Sequence, residues 1–244
     1  GNKNSVEFVP LTGNQRFNAV DNGSIDLLAR NTTWTMFRDS RYDIDYAGIN
    51  FFDGQGLLVK SASGIHSVND LEGKKICVQD NSRIHSNIEN YFSILQINIE
   101  IDNASTNEQA LTNYINGNCD AYSTDSSALA SKRSTNSSLS DDKILTELIS
   151  KEPLGPVVHS GDPIWKDIVT WTLNAMISAE ELGLTSTNIS SFSDSDNYQI
   201  RKIIGADGDF GESMGLSQNF MYEIINQVGN YGEIYENNIG ANSP

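Results

Sequence analysis

The sequence predicts an α/β fold assembled from two successive β-α-β series. Two observations carry that expectation. Short apolar runs of strand character alternate with stretches whose apolar residues recur at helical spacing. Several of the strand-like runs also end abruptly in hydroxyl, amide and charged groups, and in α/β folds the carboxyl ends of strands are where ligands bind. A length of 244 residues suits one large domain or two lobes of ordinary size, enough to bury real cores without staples. Sixteen basic against 32 acidic residues give a net charge of -16, which disfavours nucleic acid and anionic membrane surfaces as partners. No apolar run approaches the roughly 20 residues of a membrane helix, so membrane insertion is not expected. The first residues carry no basic-then-apolar leader, so any signal peptide lies outside this stretch.

In chain order, residues 5–9 read as a strand, 15–21 as a short helix with Phe17 and Val20 inward, and 25–29 as the next strand. Residues 46–49 and 51–60 are extended chain interrupted by Gly54 and Gly56, which permit bending, and suit a crossing strand. Residues 67–73 form a capped helical turn with a glycine stop. A second series follows: strand 75–79, helix 84–95, strand 97–101, a helix capped by Thr106 with Glu108 in its first turn, and strand 119–123. Asp125 lies just past that strand, where capping the next helix, 126–132, is the ordinary role for a lone Asp. Residues 134–142 are a Ser-rich loop. Residues 151–158, punctuated by prolines and Gly155, suit a return crossing. A long helix covers 164–182 with Trp165 and Trp171 as core residues, and helices near 198–204, 218–228 and 231–237 close the chain.

The most pointed stretch is Arg30-Asn31-Thr32-Thr33-Trp34-Thr35-Met36-Phe37-Arg38-Asp39, which follows the expected strand at 25–29. Arg grips a carboxylate through two parallel hydrogen bonds, so Thr33 and Arg38 converging on one anion form a carboxylate-recognition loop. The alternative is a surface loop in which Arg38 pairs with Asp39, Asp43 or Asp45. Cys77 and Cys119 each lie in or at the mouth of an apolar strand, and neighbouring strands would bring them together. A disulfide and a pair of buried free thiols both fit. A metal site fits least, because His66, His85 and His159 are scattered and no zinc-type spacing occurs. Phosphate-loop, dinucleotide and nucleophile-elbow motifs are absent, and no acid-base couple stands out among the many carboxylates.

Taken together, the loop 31–39, the segment Asn50-Phe51-Phe52-Asp53-Gly54-Gln55-Gly56, the strand end Thr124-Asp125-Ser126, the return Lys151-Glu152-Pro153-Leu154-Gly155-Pro156 and the tail 227–235 carry a resemblance. Over essentially its whole length the chain resembles the periplasmic general L-amino-acid-binding proteins of ABC importers, family 3 of the solute-binding proteins. The resemblance implies the type II periplasmic binding fold: two α/β lobes, joined by two crossing strands, that close on one amino acid. Lobe 1 would be residues 1–55 with 155–244, and lobe 2 residues 56–154, with Gly54, Gly56 and Gly155 at the hinge. It makes Arg38 the α-carboxylate clamp, Thr33 a hydroxyl and backbone partner, Asn31 a backbone carbonyl for the ammonium, and Asp125 its counter-ion. A second carboxylate loop, Gly-Thr-Thr in the family, corresponds to Gln79-Asp80-Asn81-Ser82-Arg83. There Ser82 keeps a hydroxyl and Arg83 its backbone N–H, while the Arg83 charge is foreign to the family pattern. The family's first strand and helix would precede Val6, and a further segment would follow Pro244.

The implied function is capture of polar L-amino acids, of the Glu, Gln, Asp and Asn kind, for the permease subunits of an ABC importer. The protein would be a periplasmic monomer without cofactor, metal or catalysis, and an exported chain would carry Cys77 and Cys119 as a disulfide. Two alternatives stand beside it. A catalytic relative on the same fold, similar to periplasmic dehydratases, would need a general acid near the ligand, with His85 the nearest histidine to an expected cleft loop. A ligand-sensing module would instead signal to a membrane partner.

Overall fold

The computed structural model describes residues 5–13, 15–80 and 82–240. The chain divides into two compact units, Gly1–Phe51 with Pro153–Ser243, and Phe52–Glu152. Its elements in chain order are α1 (Arg16–Asp21), α2 (Met36–Arg41), β1 (Ile44–Tyr46), β2 (Phe51–Asp53), β3 (Gln55–Val59), β4 (Lys75–Gln79), α3 (Arg83–Leu95), β5 (Glu100–Ala104), α4 (Asn107–Ile115), β6 (Ala121–Asp125), α5 (Ser126–Thr135), β7 (Lys143–Ile144), β8 (Glu152–Leu154), β9 (Val157–His159), α6 (Pro163–Glu181), α7 (Tyr198–Ile203), α8 (Phe220–Val228) and α9 (Tyr231–Asn238). The chain passes between the units twice, through β2 and β8, which pair as a two-stranded sheet.

The unit Phe52–Glu152 is built on a five-stranded sheet of order β5-β4-β6-β3-β7. β4 runs parallel to β5 and β6, while β3 runs antiparallel to β6 and β7. Side-chain alternation sorts its core into two layers. Leu57, Val59, Ile76, Val78 and Ala121 pack with Ile88 and Phe92 of α3 on one face. Leu58, Cys77 and Tyr122 pack with Ala110 and Tyr114 of α4 and Leu129 of α5 on the other. Cys77 and Cys119 are disulfide-bonded within this second layer. The expected capped turn is a 3-10 turn, Val68–Leu71, with a reciprocal Ser67–Asp70 capping box. Gly73 follows it at φ 67, where a glycine is favoured. Asp142, expected in a polar loop, is instead buried, accepting from the Tyr114 hydroxyl at 2.8 Å and pairing with Lys60 at 3.0 Å.

In the other unit β1 and β9 pair antiparallel, with Tyr46 opposite Val157. Phe17, Val20, Leu28, Ile44, Tyr46 and Val157 form one core. A second core joins Ala179 of α6 to Leu184, Ile189, Ile200, Ile203 and Ile225. α9 starts at a capping box between Asn230 and Glu233, and the Asn230 amide also donates to the Leu184 carbonyl at 2.7 Å.

Four expectations are corrected. Residues 5–9 form no strand; Val6, Phe8 and Val9 are exposed, so their apolar character meets no sheet partner. Residues 25–29 reduce to a single bridge, Leu28 with Val157, where the two residues exchange both backbone hydrogen bonds. The strand expected at 97–101 lies at Glu100–Ala104, the Asn98 N–H being taken by the Glu72 carboxylate and its carbonyl by the Gly73 N–H. Trp171 is 47% exposed rather than core, the buried face of α6 being Leu173, Ala175 and Ala179.

Thiol titration of the oxidised protein in denaturant is expected to find no free cysteine. A Cys77→Ala, Cys119→Ala variant should unfold at lower urea, its stability reduced by about 2 to 4 kcal/mol for a closed loop of this span.

Candidate functional site

The segment 31–38 is positioned by backbone pairing to the return crossing. The Trp34 N–H donates to the Pro153 carbonyl at 2.8 Å, the Gly155 N–H to the Thr32 carbonyl at 3.1 Å, and Thr33 bridges Leu154. The chain then turns into α2, a helix the sequence reading missed, whose N-cap Thr35 accepts from the Arg38 N–H at 3.3 Å. That turn lays the Arg38 side chain back over its own loop. Its Nη1 donates to the Thr33 carbonyl at 2.7 Å, and its guanidinium lies over the Phe17 ring at 4.7 Å from the centroid. The Thr33 carbonyl also accepts from the Tyr46 hydroxyl at 2.7 Å, so both its lone pairs are used. Burial pushes the Tyr46 hydroxyl up, against the lowering effect of nearby Arg38 and Arg16. Trp34 stacks on Tyr46 at 5.0 Å and closes the cluster.

The surface-loop alternative for Arg38 does not occur. Asp39 accepts from the Trp34 indole at 3.2 Å, Asp45 pairs with Lys166 at 3.1 Å, and Asp43 accepts from Ser160. Among the described residues Arg38 makes no salt bridge. Its charge is held by a carbonyl and a ring face, neither of which cancels it. Asn31 presents its carbonyl to Arg16 Nη1 at 2.8 Å, so one of its two lone pairs is already taken. Arg16, Phe17 and Tyr46 were not singled out by sequence; only the inward placing of Phe17 hinted at them.

In the unit Phe52–Glu152, Ser82 and Arg83 lie at the turn from β4 into α3; Asn81 lies outside the described residues. The Ser82 hydroxyl donates to the Gln79 carbonyl at 2.6 Å and accepts from the His85 N–H at 3.2 Å, which makes it the cap of α3. Its proton is therefore committed to the loop, and the backbone N–H groups of the first turn are what the helix start offers an anion. The Arg83 guanidinium pairs with Glu152, whose side chain is 2% exposed. Glu152 also accepts from Asn87 at 3.4 Å and from the Ser150 hydroxyl. Asn87 donates to Gln55, and the Gln55 amide donates to the Ile84 carbonyl and the Ser123 hydroxyl, each at 3.0 Å. Glu152, Asn87 and Gln55 carried no sequence signal of this network.

Asp125 ends β6 opposite Gln55 and occupies the N-cap position of α5, but its side chain makes no capping hydrogen bond. The first turn of α5 is satisfied from β2 and Gly54 instead. Ser126 N–H donates to the Gly54 carbonyl at 2.8 Å, and Ser127 donates its N–H, at 3.3 Å, and its hydroxyl to Asp53. The ordinary role of a lone Asp is thus filled by Asp53. Gly54, Gly56 and Gly155 all lack positive φ. Gly54 and Gly155 are needed for close approach: a Cβ on Gly54 would meet Leu148 and the Ser150 carbonyl at 2.8 Å, and one on Gly155 would overlap the Gly48 carbonyl.

Other features hold none of these residues. Cys77, Asp102 and Cys119 lie within metal-ligand reach of one another, yet both sulfurs are spent in the disulfide. A groove of about 780 Å³ runs along α6, lined by Trp171, Phe210, Met214, Met221 and Lys202 among others. Among the described residues no helix is long and apolar enough to cross a membrane.

Residues 2–187 match the family model described as bacterial extracellular solute-binding proteins, family 3. A glutamate/glutamine/aspartate/asparagine-binding protein of Rhodobacter capsulatus is 41% identical over 244 residues, the whole of this chain and 72% of the relative. A general L-amino acid-binding periplasmic protein of Rhizobium johnstonii is 40% identical, again over 100% of this chain and 72% of its own length. Among solved structures, an ABC transporter periplasmic binding protein from Brucella ovis with glutathione bound superposes with a TM-score of 0.92 at 42% identity, covering 98% of this chain and 75% of that one.

Because Thr35 caps the turn that orients Arg38, Thr35→Ala should lower stability in urea melts by about 1 kcal/mol, and Thr35→Ser should retain most of it.

Proposed function

The chain belongs to the bacterial extracellular solute-binding proteins, family 3, and from that premise we propose that it captures free polar L-amino acids in the periplasm for the permease subunits of an ABC importer. The observation that carries the reading is Arg38. Its guanidinium is fixed by neutral partners and keeps its charge, the state a carboxylate clamp requires. Asp125, the last residue of β6, serves as the counter-ion of the ammonium. The two relatives support the ligand class, since their names cover glutamate, glutamine, aspartate, asparagine and L-amino acids generally. The reading takes the protein as a monomer that binds without catalysis, in keeping with the names of the two relatives, which describe binding proteins.

A second reading, a γ-glutamyl peptide such as glutathione, is favoured by the ligand of the Brucella ovis neighbour. Its glutamyl end carries the same free α-ammonium and α-carboxylate. Calorimetry against the twenty amino acids and glutathione, with product analysis of every binder, tests both readings. Saturable binding of polar amino acids with unchanged ligand supports the first. Binding of glutathione alone replaces it with the second, and turnover of a bound ligand removes the non-catalytic assignment.

Arg38→Lys should weaken every amino acid that binds by about 2 kcal/mol or more, some thirtyfold, because an ammonium lacks the two parallel donors. Loss confined to acidic ligands would mean that Arg38 reads the side chain. Asp125→Asn should cost about 2 to 5 kcal/mol of affinity, the usual loss when one partner of a desolvated charge pair is removed, while Asp141→Asn should leave affinity unchanged.

A further inference from the structure

We propose that Glu152 sets the ligand's charge preference by neutralising Arg83, an inference that rests on the amino-acid-binding reading above. Arg83 is the first residue of α3, beside Ser82 and on the loop assigned to carboxylate recognition. A helix start already favours anions. An uncompensated guanidinium there would add a full positive charge and bias the site toward dicarboxylic amino acids over their amides. The fold answers that charge internally. Glu152 pairs with Arg83 from the first position of β8, almost wholly removed from solvent.

Such a buried carboxylate persists only when its charge is matched and its remaining lone pairs are satisfied. Here Asn87 and the Ser150 hydroxyl supply those hydrogen bonds. Asn87 is itself held by Gln55, which is anchored to the Ile84 carbonyl and to Ser123. The carboxylate is therefore fixed from β3, β6, α3 and the return crossing together. It is a positioning residue in a rigid polar network rather than a mobile surface acid. The start of α3 is left close to neutral, with its backbone N–H groups as the anion-binding element and the guanidinium withheld. A site arranged this way discriminates weakly between a carboxylate and an amide at the ligand's side chain.

The test compares glutamate with glutamine, which have nearly the same shape and differ by one charge. Calorimetry on the full 244-residue chain gives the ratio of their affinities for the parent, Glu152→Gln, Arg83→Gln and the double variant. Glu152→Gln keeps the acceptor for Asn87 and Ser150 while removing the counter-charge, so its ratio should shift toward glutamate by about tenfold or more. Arg83→Gln keeps the backbone N–H but leaves the Glu152 charge, so its ratio should shift toward glutamine. The double variant should return to within about threefold of the parent. Opposite shifts that cancel are not produced by loss of packing or stability. Unchanged ratios in variants that remain folded and bind would overturn the proposal while leaving the amino-acid reading intact. A parent that binds no amino acid would overturn both. Should Glu152→Gln fail to fold, Arg83→Gln and the double variant still decide: a ratio lowered in the first and restored in the second supports the proposal, and equal ratios overturn it.

Discussion

Residues 152–157 are the constraint on which the remaining architecture depends. On one side this short segment accepts from Trp34 through the Pro153 carbonyl, donates from Gly155 to Thr32, and pairs Val157 with Leu28. On the other it accepts from Asn50 through the Leu154 carbonyl and from Ala47 through the Pro156 carbonyl. Extended chain bonded along both edges behaves as the middle strand of a sheet, although each regular strand within it is only three residues long. Proline is usually confined to sheet edges because it lacks an N–H. Pro153 and Pro156 are tolerated here because both are used as acceptors. Gly155 sits between them where the Gly48 carbonyl leaves no room for a side chain. The loop that carries Arg38 is thus hung from a backbone ladder, and that gives it the precision of a sheet without long strands.

Arg38 in one unit and Arg83 in the other are held by opposite electrostatic means. Arg38 is oriented by the Thr33 carbonyl and the Phe17 ring, with Arg16 over the same ring at 5.1 Å. Those partners fix its geometry, lowering the entropy cost of gripping an anion, and they leave its charge intact. Arg83 has a full counter-charge in Glu152, whose carboxylate also accepts from Asn87. In a chain of net charge -16, an anion-binding function depends on where positive charge is left uncancelled. Among the described residues Arg38 has no salt-bridge partner, whereas Arg83 is matched by Glu152.

Local signals were legible where local physics decides. The Ser67–Asp70 capping box, the Thr106 cap of α4 with Glu108 in its first turn, and the Ile88 and Phe92 face of α3 follow from residues within a turn or two. The strands of the sheet in Phe52–Glu152 were legible because their apolar residues alternate between two covered faces. Residues 5–9 and 25–29 have the same local character, yet strand formation needs a partner edge, and propensity carries no record of one. Trp171 misled for a related reason: helical periodicity marks an apolar face without saying what covers it. Arg38 stood out in the sequence because its fork-shaped guanidinium suits a carboxylate, although it lies in α2 and the strand expected before it is a single bridge. Glu152 did not, because an acid in so acidic a chain reads as solvated surface until the fold buries it.

Asp125 shows why the remaining site residues resist reading from sequence. A lone Asp just before a helix is ordinarily its cap, because a short side chain at that position reaches the N–H groups of the first turn. That inference holds only if no other group reaches them first. Here β2 places Asp53 and the Gly54 carbonyl against the start of α5, and they take the Ser126 and Ser127 donors. Gly54 packs its other side closely too, since a side chain there would strike Leu148 and the Ser150 carbonyl. The capping role thereby moves more than seventy residues back along the chain, a transfer that follows from strand order alone. Once the helix is satisfied from a neighbouring strand, the Asp125 side chain at the end of β6 makes no capping hydrogen bond to the turn it precedes. A cap is thus assigned by which group the fold brings to the helix start, and the sequence next to the helix does not record that.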